Sequence, residues 1–299
     1  MMIGIGSDCL SAAIDPLGAE LASLRDAQGR ELMTDADPAF WTGHAPLLFP
    51  IVGALNGGAY RLGDQRHAMA QHGLARRLPF ALTGRTRESA TFRLTDSAAT
   101  RAAYPFAFTL DADYRIEGAT LAMTVTVTNS GETDLPASFG WHPAFAWPLP
   151  YGQPRAAHRI LFDAAEPDPL CVLEGGVIVA EDRPSPLQGR TLALCDQLFA
   201  RDALVWRAAR SRGCLYGAAE GPQLRLDWSD NHRSLGIWTK PGAHYVCIEP
   251  WDGHADPAGF EGDIRDKPGI RRIPPGASRS YRLGVTWMAQ PRAAAMPRI

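Results

Sequence analysis

One carboxylate in this chain lies where it could transfer protons. Glu249 falls in the segment 245–253, whose first residues are apolar or β-branched and predict a buried strand. Pro250 cannot donate a ladder hydrogen bond, so we expect the strand to end near Glu249, beside the large ring of Trp251. Burial there would raise the pKa of the carboxyl group and suit it to proton transfer. A glutamate that only pairs with an arginine is the alternative, and this segment leaves both open.

A histidine shares these surroundings. His142 lies between Trp141 and Pro143, at what the pattern predicts to be another strand end. An ionisable residue before a proline and close to a tryptophan therefore occurs twice, at His142 and at Glu249. The two could meet only through the fold. A core histidine with satisfied hydrogen bonds is the alternative interpretation.

Three further polar residues are candidate ligand contacts. His72 directly precedes Gly73, and Arg76 follows four residues after His72, in a segment that predicts either a loop entering a cleft or an ordinary surface loop. Asp202 could contact a ligand or could be a helix N-cap, since 197–210 is the best candidate for a short helix. Eight tryptophans fit a sugar-binding cleft, although such residues equally well fill a core.

Motifs for metals, nucleotides and covalent catalysis are absent from the sequence. The eight histidines form no HxH or HExxH pattern and the five cysteines no CxxC pattern, so we predict no metal site. The sequence contains no GxSxG, P-loop or GxGxxG motif. The dispersed, odd-numbered cysteines predict reduced and mostly buried thiols, and the sequence assigns them no role beyond packing.

Composition limits the class of protein. The 299 residues carry a formal net charge of -2 with no cluster of basic residues, which argues against nucleic acid or an anionic membrane as partner. The N-terminal residues do not resemble a signal peptide, and no run approaches the ~20 apolar residues of a membrane span. We therefore predict a cytoplasmic protein. Its oligomeric state cannot be predicted from the sequence.

Period-two alternation of apolar and polar residues dominates the chain. Together with 24 prolines and 29 glycines it predicts an all-β, antiparallel sandwich. We expect one domain over 1–288 and a loosely ordered tail over 289–299, where the alternation is lost. The clearest alternating runs are 106–116, 120–128, 224–228 and 281–287.

Eight segments, in this order, resemble the aldose 1-epimerase (galactose mutarotase-like) family, in particular its LacX-like branch. Each segment alone is a weak signal, but together they span roughly residues 18–285. They are Gly-Ala-Glu-Leu at 18–21, Pro-Leu-Leu-Phe-Pro-Ile-Val-Gly at 46–53, Gln-His-Gly-Leu-Ala-Arg at 71–76, Phe-Gly-Trp-His-Pro-Ala-Phe at 139–145, Asp-Ala-Leu at 202–204, Leu-Gly-Ile-Trp at 235–238, Cys-Ile-Glu-Pro-Trp at 247–251, and Gly-Asp at 262–263 with Lys-Pro-Gly-Ile at 267–270.

The resemblance implies a β-supersandwich and the interconversion of α and β anomers of a free aldose, without a cofactor. It implies that Glu249 is the general base and His142 the general acid. His72 resembles the second active-site histidine and Asp202 the acidic residue that holds sugar hydroxyls. The family usually has a sugar-contacting arginine where this chain has Ala54. Arg76 or Arg61 could replace it.

Proton transfer by this pair makes the rate depend on pH. A base that accepts the O1 proton and an acid that protonates O5 must be ready together, which predicts a bell-shaped profile.

Two alternatives stay open at this point. A hexose-6-phosphate 1-epimerase would use basic pairs such as 76–77 or 271–272 to bind phosphate. A sugar-binding module without turnover is favoured by Ala54 and disfavoured by the intact pair of His142 and Glu249.

Overall fold

The computed structural model describes residues 1–289, which form 24 strands. In chain order the strands are β1 (Ile3–Gly6), β2 (Leu10–Asp15), β3 (Glu20–Asp26), β4 (Leu47–Leu48), β5 (Ala59–Leu62), β6 (Gln65–Ala68), β7 (Ala81–Arg85), β8 (Ser89–Thr95), β9 (Phe108–Glu117), β10 (Thr120–Asn129), β11 (Leu135–Ala137), β12 (Phe139–Trp141), β13 (Ala144–Ala146), β14 (His158–Phe162), β15 (Leu170–Glu174), β16 (Val177–Arg183), β17 (Thr191–Ala193), β18 (Leu204–Trp206), β19 (Gly213–Ala218), β20 (Gln223–Trp228), β21 (Ser234–Trp238), β22 (Tyr245–Asp252), β23 (Arg271–Ile273) and β24 (Ser278–Met288).

Helical structure is limited to short pieces. One α-helix, α1 (Ala98–Ala103), begins after Ser97, whose side chain accepts the backbone N–H of Thr100. Short 3₁₀ turns cover Asn56–Gly58, Ala75–Arg77, Arg155–Ala157, Asp196–Phe199 and Ile264–Asp266. No helix within residues 1–289 is long and apolar enough to cross a bilayer.

Two large antiparallel sheets dominate the fold. One has nine strands in the order β17-β14-β19-β20-β24-β10-β9-β8-β7. The other has eight and runs β16-β15-β18-β21-β22-β12-β4, with β13 also pairing with β22. Smaller sheets join β1-β2-β3, β5-β6 and β11-β23. The predicted all-β sandwich is confirmed.

The hydrophobic core lies between the inner faces of the two large sheets. In β10, Leu121 and Val125 are fully buried, as the alternation predicts, and they share one apolar cluster with Val246 and Ile248 of β22. Burying each side chain of this size stabilises the fold by about 1.5–3 kcal/mol. The strands that position the site are therefore fixed by the core behind them.

The helix predicted over 197–210 is wrong. Only the 3₁₀ turn Asp196–Phe199 is helical there, and β18 follows it. Leu204, Val205 and Trp206 pair in register with β21, so sheet pairing and burial outweigh the weak helical pattern. The predicted tail lies outside the described residues, apart from residue 289.

Candidate active site

A pocket of about 350 Å³ opens on the face of the eight-stranded sheet that points away from the core. Its lining includes all five polar residues that the sequence singles out. They are His72, Arg76, His142, Asp202 and Glu249. Segments from 41 to 255 therefore converge on one concave site, whose size suits a small molecule.

Alternation along β22 places Glu249 in this pocket. Val246 and Ile248 belong to the main core, whereas Cys247 and Glu249 project from the opposite face. All eight residues of the strand are buried, which confirms the predicted buried strand. Because side chains alternate strictly, packing Val246 and Ile248 inward forces Glu249 outward.

The prediction that the strand ends near Glu249 is wrong, since β22 continues through Pro250 to Asp252. The neighbouring chain explains how the sheet accommodates this proline. β13 pairs with 245–247 and β12 with 251–252, which leaves a gap between them on that side of β22. In this gap the N–H of Ile248 donates to the carbonyl oxygen of Pro143. The backbone nitrogen of Pro250, two residues later, faces the same side, where no strand requires an N–H from it.

His142 occupies this gap. β12 ends at Trp141, as predicted, and the imidazole that follows brings Nε2 to 3.2 Å from Oε2 of Glu249. The His142 and Glu249 side chains are only 9% and 2% exposed, so water screens their interaction poorly. The contact is short enough for an ion pair but is not aligned as a hydrogen bond, and Oε2 has no hydrogen-bond partner.

Burial shifts the two pKa values in opposite directions. It raises the pKa of Glu249 well above its ordinary value, with a further increase from Asp202 and an opposing decrease from the nearby indole N–H of Trp251. Burial, with a smaller contribution from the charge of Arg76, lowers the pKa of His142 to about 3. Both shifts favour neutral side chains, whereas the attraction between a carboxylate and an imidazolium 3.2 Å apart favours the charged pair. Either form holds one proton, so the pair titrates as a unit.

His72 lines the pocket, and its backbone has a left-handed conformation that residues other than glycine rarely adopt. Its φ is 66°, and it lies beside Gly73, where a Cβ would come within 2.2 Å of the Phe49 carbonyl oxygen. The backbone N–H of Gly53 donates to Nδ1 of His72 at 3.1 Å. Because an N–H can only donate, Nδ1 is the acceptor and the neutral ring carries its proton on Nε2.

Burial lowers the pKa of His72 well below its ordinary value, and the nearby His142 and Arg76 lower it further. The ring therefore stays neutral at physiological pH. It packs edge-on against the His142 ring, with the ring centroids 5.5 Å apart. His72 is thus positioned as a fixed hydrogen-bond donor beside His142.

Asp202 lines the pocket and caps no helix. It has a φ of 74°, and one of its carboxyl oxygens accepts the N–H of Ala203 at 2.8 Å. β18 begins two residues later. The helix N-cap interpretation is therefore wrong, and an exposed carboxylate on a strained turn faces the pocket instead.

Of the two arginines that could replace the missing one, only Arg76 lines the pocket. Arg61 lies elsewhere, near the carbonyl oxygens of Gly63 and Glu261. The methyl group of Ala54 faces the β15–β16 turn, where a Cβ on Gly176 would meet it at 3.0 Å. The turn thus occupies the space beside residue 54.

Two tryptophans that were not among the candidate site residues form one wall. The centroids of Trp41 and Trp238 lie 4.9 and 5.8 Å from that of His142, and the two indoles contact each other edge to face. Nothing near Trp41 in the sequence indicates this position. Lys240, exposed at the end of β21, also lines the pocket and was likewise missed.

Trp251 forms the floor between two glycines. A Cβ on Gly236 or on Gly140 would come within 2.5 Å of its indole ring. The absence of side chains at these two positions therefore leaves the space that the ring occupies. The indole Nε1 donates to the carbonyl oxygen of Trp141 at 3.2 Å, which anchors the ring.

One group of side chains in the described residues could hold a metal ion. The ligand atoms of His142, Cys247 and Glu249 all lie within 4.8 Å of one another. Sequence spacing did not predict this group, because His142 joins the other two only through the fold. Alternation along β22 did contain part of the signal, since residues 247 and 249 must share a face.

Comparisons with known proteins agree with this architecture. The family profile described as Aldose 1-epimerase matches residues 1–256. The chromosomal LacX protein of Lactococcus lactis is 30% identical over 298 residues, covering 95% of this chain and 99% of that protein. A galactose mutarotase related enzyme from Lactobacillus acidophilus superposes with a TM-score of 0.88 at 28% identity, covering 99% and 100% of the two chains. A galactose mutarotase-like protein from Lactobacillus casei gives 0.89 at 28% identity, covering 96% and 100%.

Proposed function

Because the chain belongs to the aldose 1-epimerase family, we propose that it interconverts the α and β anomers of a free aldose. The observation that carries the proposal is the buried contact of 3.2 Å between Nε2 of His142 and Oε2 of Glu249, inside a pocket of about 350 Å³. Opening a cyclic hemiacetal requires one acid and one base, and this contact supports the proposal because it brings a candidate for each into the same pocket.

The reaction moves two protons and breaks one bond. Glu249 removes the proton from the anomeric O1 while His142, in its protonated form, donates a proton to the ring oxygen O5. The C1–O5 bond breaks and C1=O1 forms. Rotation about C1–C2 presents the other face of the aldehyde. The same two groups then return the protons as O5 attacks C1, so the pair ends in its starting state.

The surrounding groups orient the sugar in this proposal. Nε2–H of His72 donates to a ring or hydroxyl oxygen, and the Asp202 carboxylate accepts from hydroxyl groups. The faces of Trp41 and Trp238 supply apolar surface for the C–H groups of a pyranose. Arg76 supplies the charged donor that the alanine at position 54 does not.

Polarimetry of freshly dissolved α-D-glucose and α-D-galactose tests the proposal. The protein should accelerate mutarotation of at least one sugar above the spontaneous rate, and a variant lacking both acid and base should not. A wild-type protein that accelerates neither of these sugars, nor their 6-phosphates, would contradict it and favour the sugar-binding module without turnover.

One observation favours a phosphorylated sugar as a second candidate substrate. Arg76 and Lys240 both line the pocket, and neither has a carboxylate partner among residues 1–289. The pair at 271–272, in contrast, is engaged, since Arg271 binds Asp252 at 2.7 Å and Arg272 binds Asp266 at 2.5 Å. A hexose 6-phosphate would supply the anion that two free cations attract. The ratio of kcat/KM for glucose 6-phosphate and glucose separates the candidates.

A further inference from the structure

We propose that His142 and Glu249, which line the pocket, form a binding site for a borderline-soft divalent cation such as Zn²⁺ together with the fully buried thiol of Cys247 beside them. The bound ion would inhibit the enzyme. The inhibition rests on the proposed function, whereas the binding site itself rests on geometry alone.

The spacing of the three ligand atoms fits a tetrahedral ion. The imidazole nitrogen, thiol sulfur and carboxyl oxygen lie within 4.8 Å of one another, and Nε2 of His142 is 3.2 Å from Oε2 of Glu249. Bonds of about 2.0–2.3 Å to zinc place neighbouring ligand atoms about 3.5 Å apart. Small side-chain movements toward a common centre are sufficient to form the site.

The backbone holds the three ligands on one side of the sheet. Cys247 and Glu249 are two residues apart on β22 and therefore project from the same face. Ala144 pairs with Cys247 on the adjacent strand, and His142 lies two residues before it, in the gap beside Pro250. The ligands thus come from rigid, buried elements, which reduces the entropy lost when they bind an ion.

Glu249 has coordination capacity that the protein does not use. Its side chain is 2% exposed, and Oε2 has no hydrogen-bond partner even though it lies at the pocket floor. Among residues 1–289 no arginine or lysine pairs with this carboxylate. A buried carboxylate oxygen without a partner is costly, and a cation would compensate for its desolvation.

The donor set determines which cation fits. Thiolate sulfur and imidazole nitrogen favour Zn²⁺, Cd²⁺ or Co²⁺, whereas Mg²⁺ and Ca²⁺ require oxygen ligands. The thiol of Cys247 loses its proton to solvent when it coordinates the ion. Three protein ligands leave the fourth position open toward the pocket, where water or a sugar oxygen can bind.

Occupation of this site and turnover exclude each other. The ion engages Nε2 of His142 and the carboxylate of Glu249, which the proposed reaction needs for proton transfer. Sugar and cation should therefore compete, and the enzyme should be most active when free of metal.

The experiment uses the full-length protein, first stripped with a chelator. Co²⁺ is added while absorbance is followed, because a thiolate ligand gives a charge-transfer band in the near ultraviolet. Zn²⁺ is then titrated into the mutarotation assay, with each variant compared with its own metal-free rate. The test variants are Cys247→Ser and Cys247→Ala, and both must retain native near-ultraviolet circular dichroism. Cys214→Ala removes another fully buried thiol and Cys195→Ser an exposed one, as matched controls.

We expect the wild type and both control variants to show the cobalt–thiolate band and inhibition by Zn²⁺. In the Cys247 variants the band should disappear, and the half-inhibitory Zn²⁺ concentration should rise at least about tenfold. Absence of the band in the wild type, or its persistence in the Cys247 variants, would overturn the proposal, as would equal inhibition of wild type and Cys247→Ser. If the wild type epimerises no sugar, the proposed function fails, and the band still decides whether the site exists.

Discussion

The Nε2 atom of His142 and the Oε2 atom of Glu249 lie 3.2 Å apart at the bottom of the pocket, in a space from which water is largely excluded. Burial lowers the pKa of His142 to about 3 and raises that of Glu249. Over the range between these values the pair therefore holds a single proton. This state is the one that can act as both acid and base.

The pH profile should be a bell that is broader than ordinary side chains would give. Activity falls on the acid side only when a second proton enters the pair, well below the ordinary carboxyl pKa of about 4.3. It falls on the alkaline side when the last proton leaves the pair. The raised pKa of Glu249 moves this alkaline limb to higher pH. Values of kcat/KM are obtained from initial rates measured in the presence of a chelator and corrected for spontaneous mutarotation. They define both limbs of the pH profile. A rate that rises through pH 4 to 5, as for an exposed carboxylate, would contradict this prediction.

Removing either group should abolish most of the catalysis. Glu249→Gln and His142→Asn each keep the approximate shape and remove the transferable proton, so kcat should fall by about 10²–10⁴-fold. Polarimetry on the preferred sugar measures this loss. His244→Asn is the matched control, because that ring is 72% exposed and does not line the pocket. Equal losses in the control, or full activity in Glu249→Gln, would show that the acid and base are other groups.

Glu249→Gln should also change stability with a defined dependence on pH. The carboxyl is ionised in the unfolded chain above about pH 4.3, but its pKa in the folded protein is raised by burial. Folding must then take up a proton at this carboxyl group, so the contribution of Glu249 to stability falls as pH rises through this window. Urea unfolding should find the glutamine variant equal to the wild type in acid and more stable at neutral pH. A variant that is less stable at neutral pH would contradict the raised pKa.

Substitutions of His72 should separate its structural hydrogen bond from its proposed contact with the sugar. His72→Ala leaves the buried N–H of Gly53 without an acceptor and should lower the free energy of unfolding by about 1–3 kcal/mol. His72→Asn keeps an acceptor near Nδ1 and tolerates a φ of 66°, so its stability should change less. Both variants lack the Nε2–H donor and should raise KM. An asparagine variant with unchanged KM would remove His72 from the sugar contacts.

Selectivity for phosphate should depend on Arg76. Replacing it with Met keeps the aliphatic stem and removes the charge, which should reduce kcat/KM for glucose 6-phosphate by roughly ten- to a hundredfold, since a charged hydrogen bond contributes about 1.5–3 kcal/mol. The rate on glucose should fall less. Arg77→Met, the exposed neighbour that does not line the pocket, is the control. Equal losses on both sugars would favour the neutral aldose.

Local sequence patterns predicted the strands better than they predicted the site. Alternation was sufficient to place Leu121 and Val125 inward, because sheet burial has a period of two and the core selects it. The meeting of Glu249 and His142 was suggested by the resemblance to a family, since no local pattern specifies a contact between distant segments. Pro250 gave a wrong strand end because its missing N–H faces a gap that only the neighbouring strands create.

Two other features could not be predicted from local sequence. Trp41 belongs to a loop without periodicity, so its contact with His142 depends on how that loop crosses the sheet. Asp202 looked like a helix cap because the residues after it have no strong preference, and pairing with β21 decided their structure. In both cases tertiary contacts outweighed local preference.

The two-sided strand β22 also restricts how this family can diverge. One face carries Val246 and Ile248 into the core, and the other carries Cys247 and Glu249, of which Glu249 lines the pocket. Deleting or inserting a single residue within this strand would exchange the faces and place an aliphatic group where the carboxylate belongs. A change of two residues would restore the face but move the carboxylate by about 7 Å along the strand, out of reach of His142. Loops around the pocket can therefore lengthen and diversify, while the residue count across β22 must stay constant.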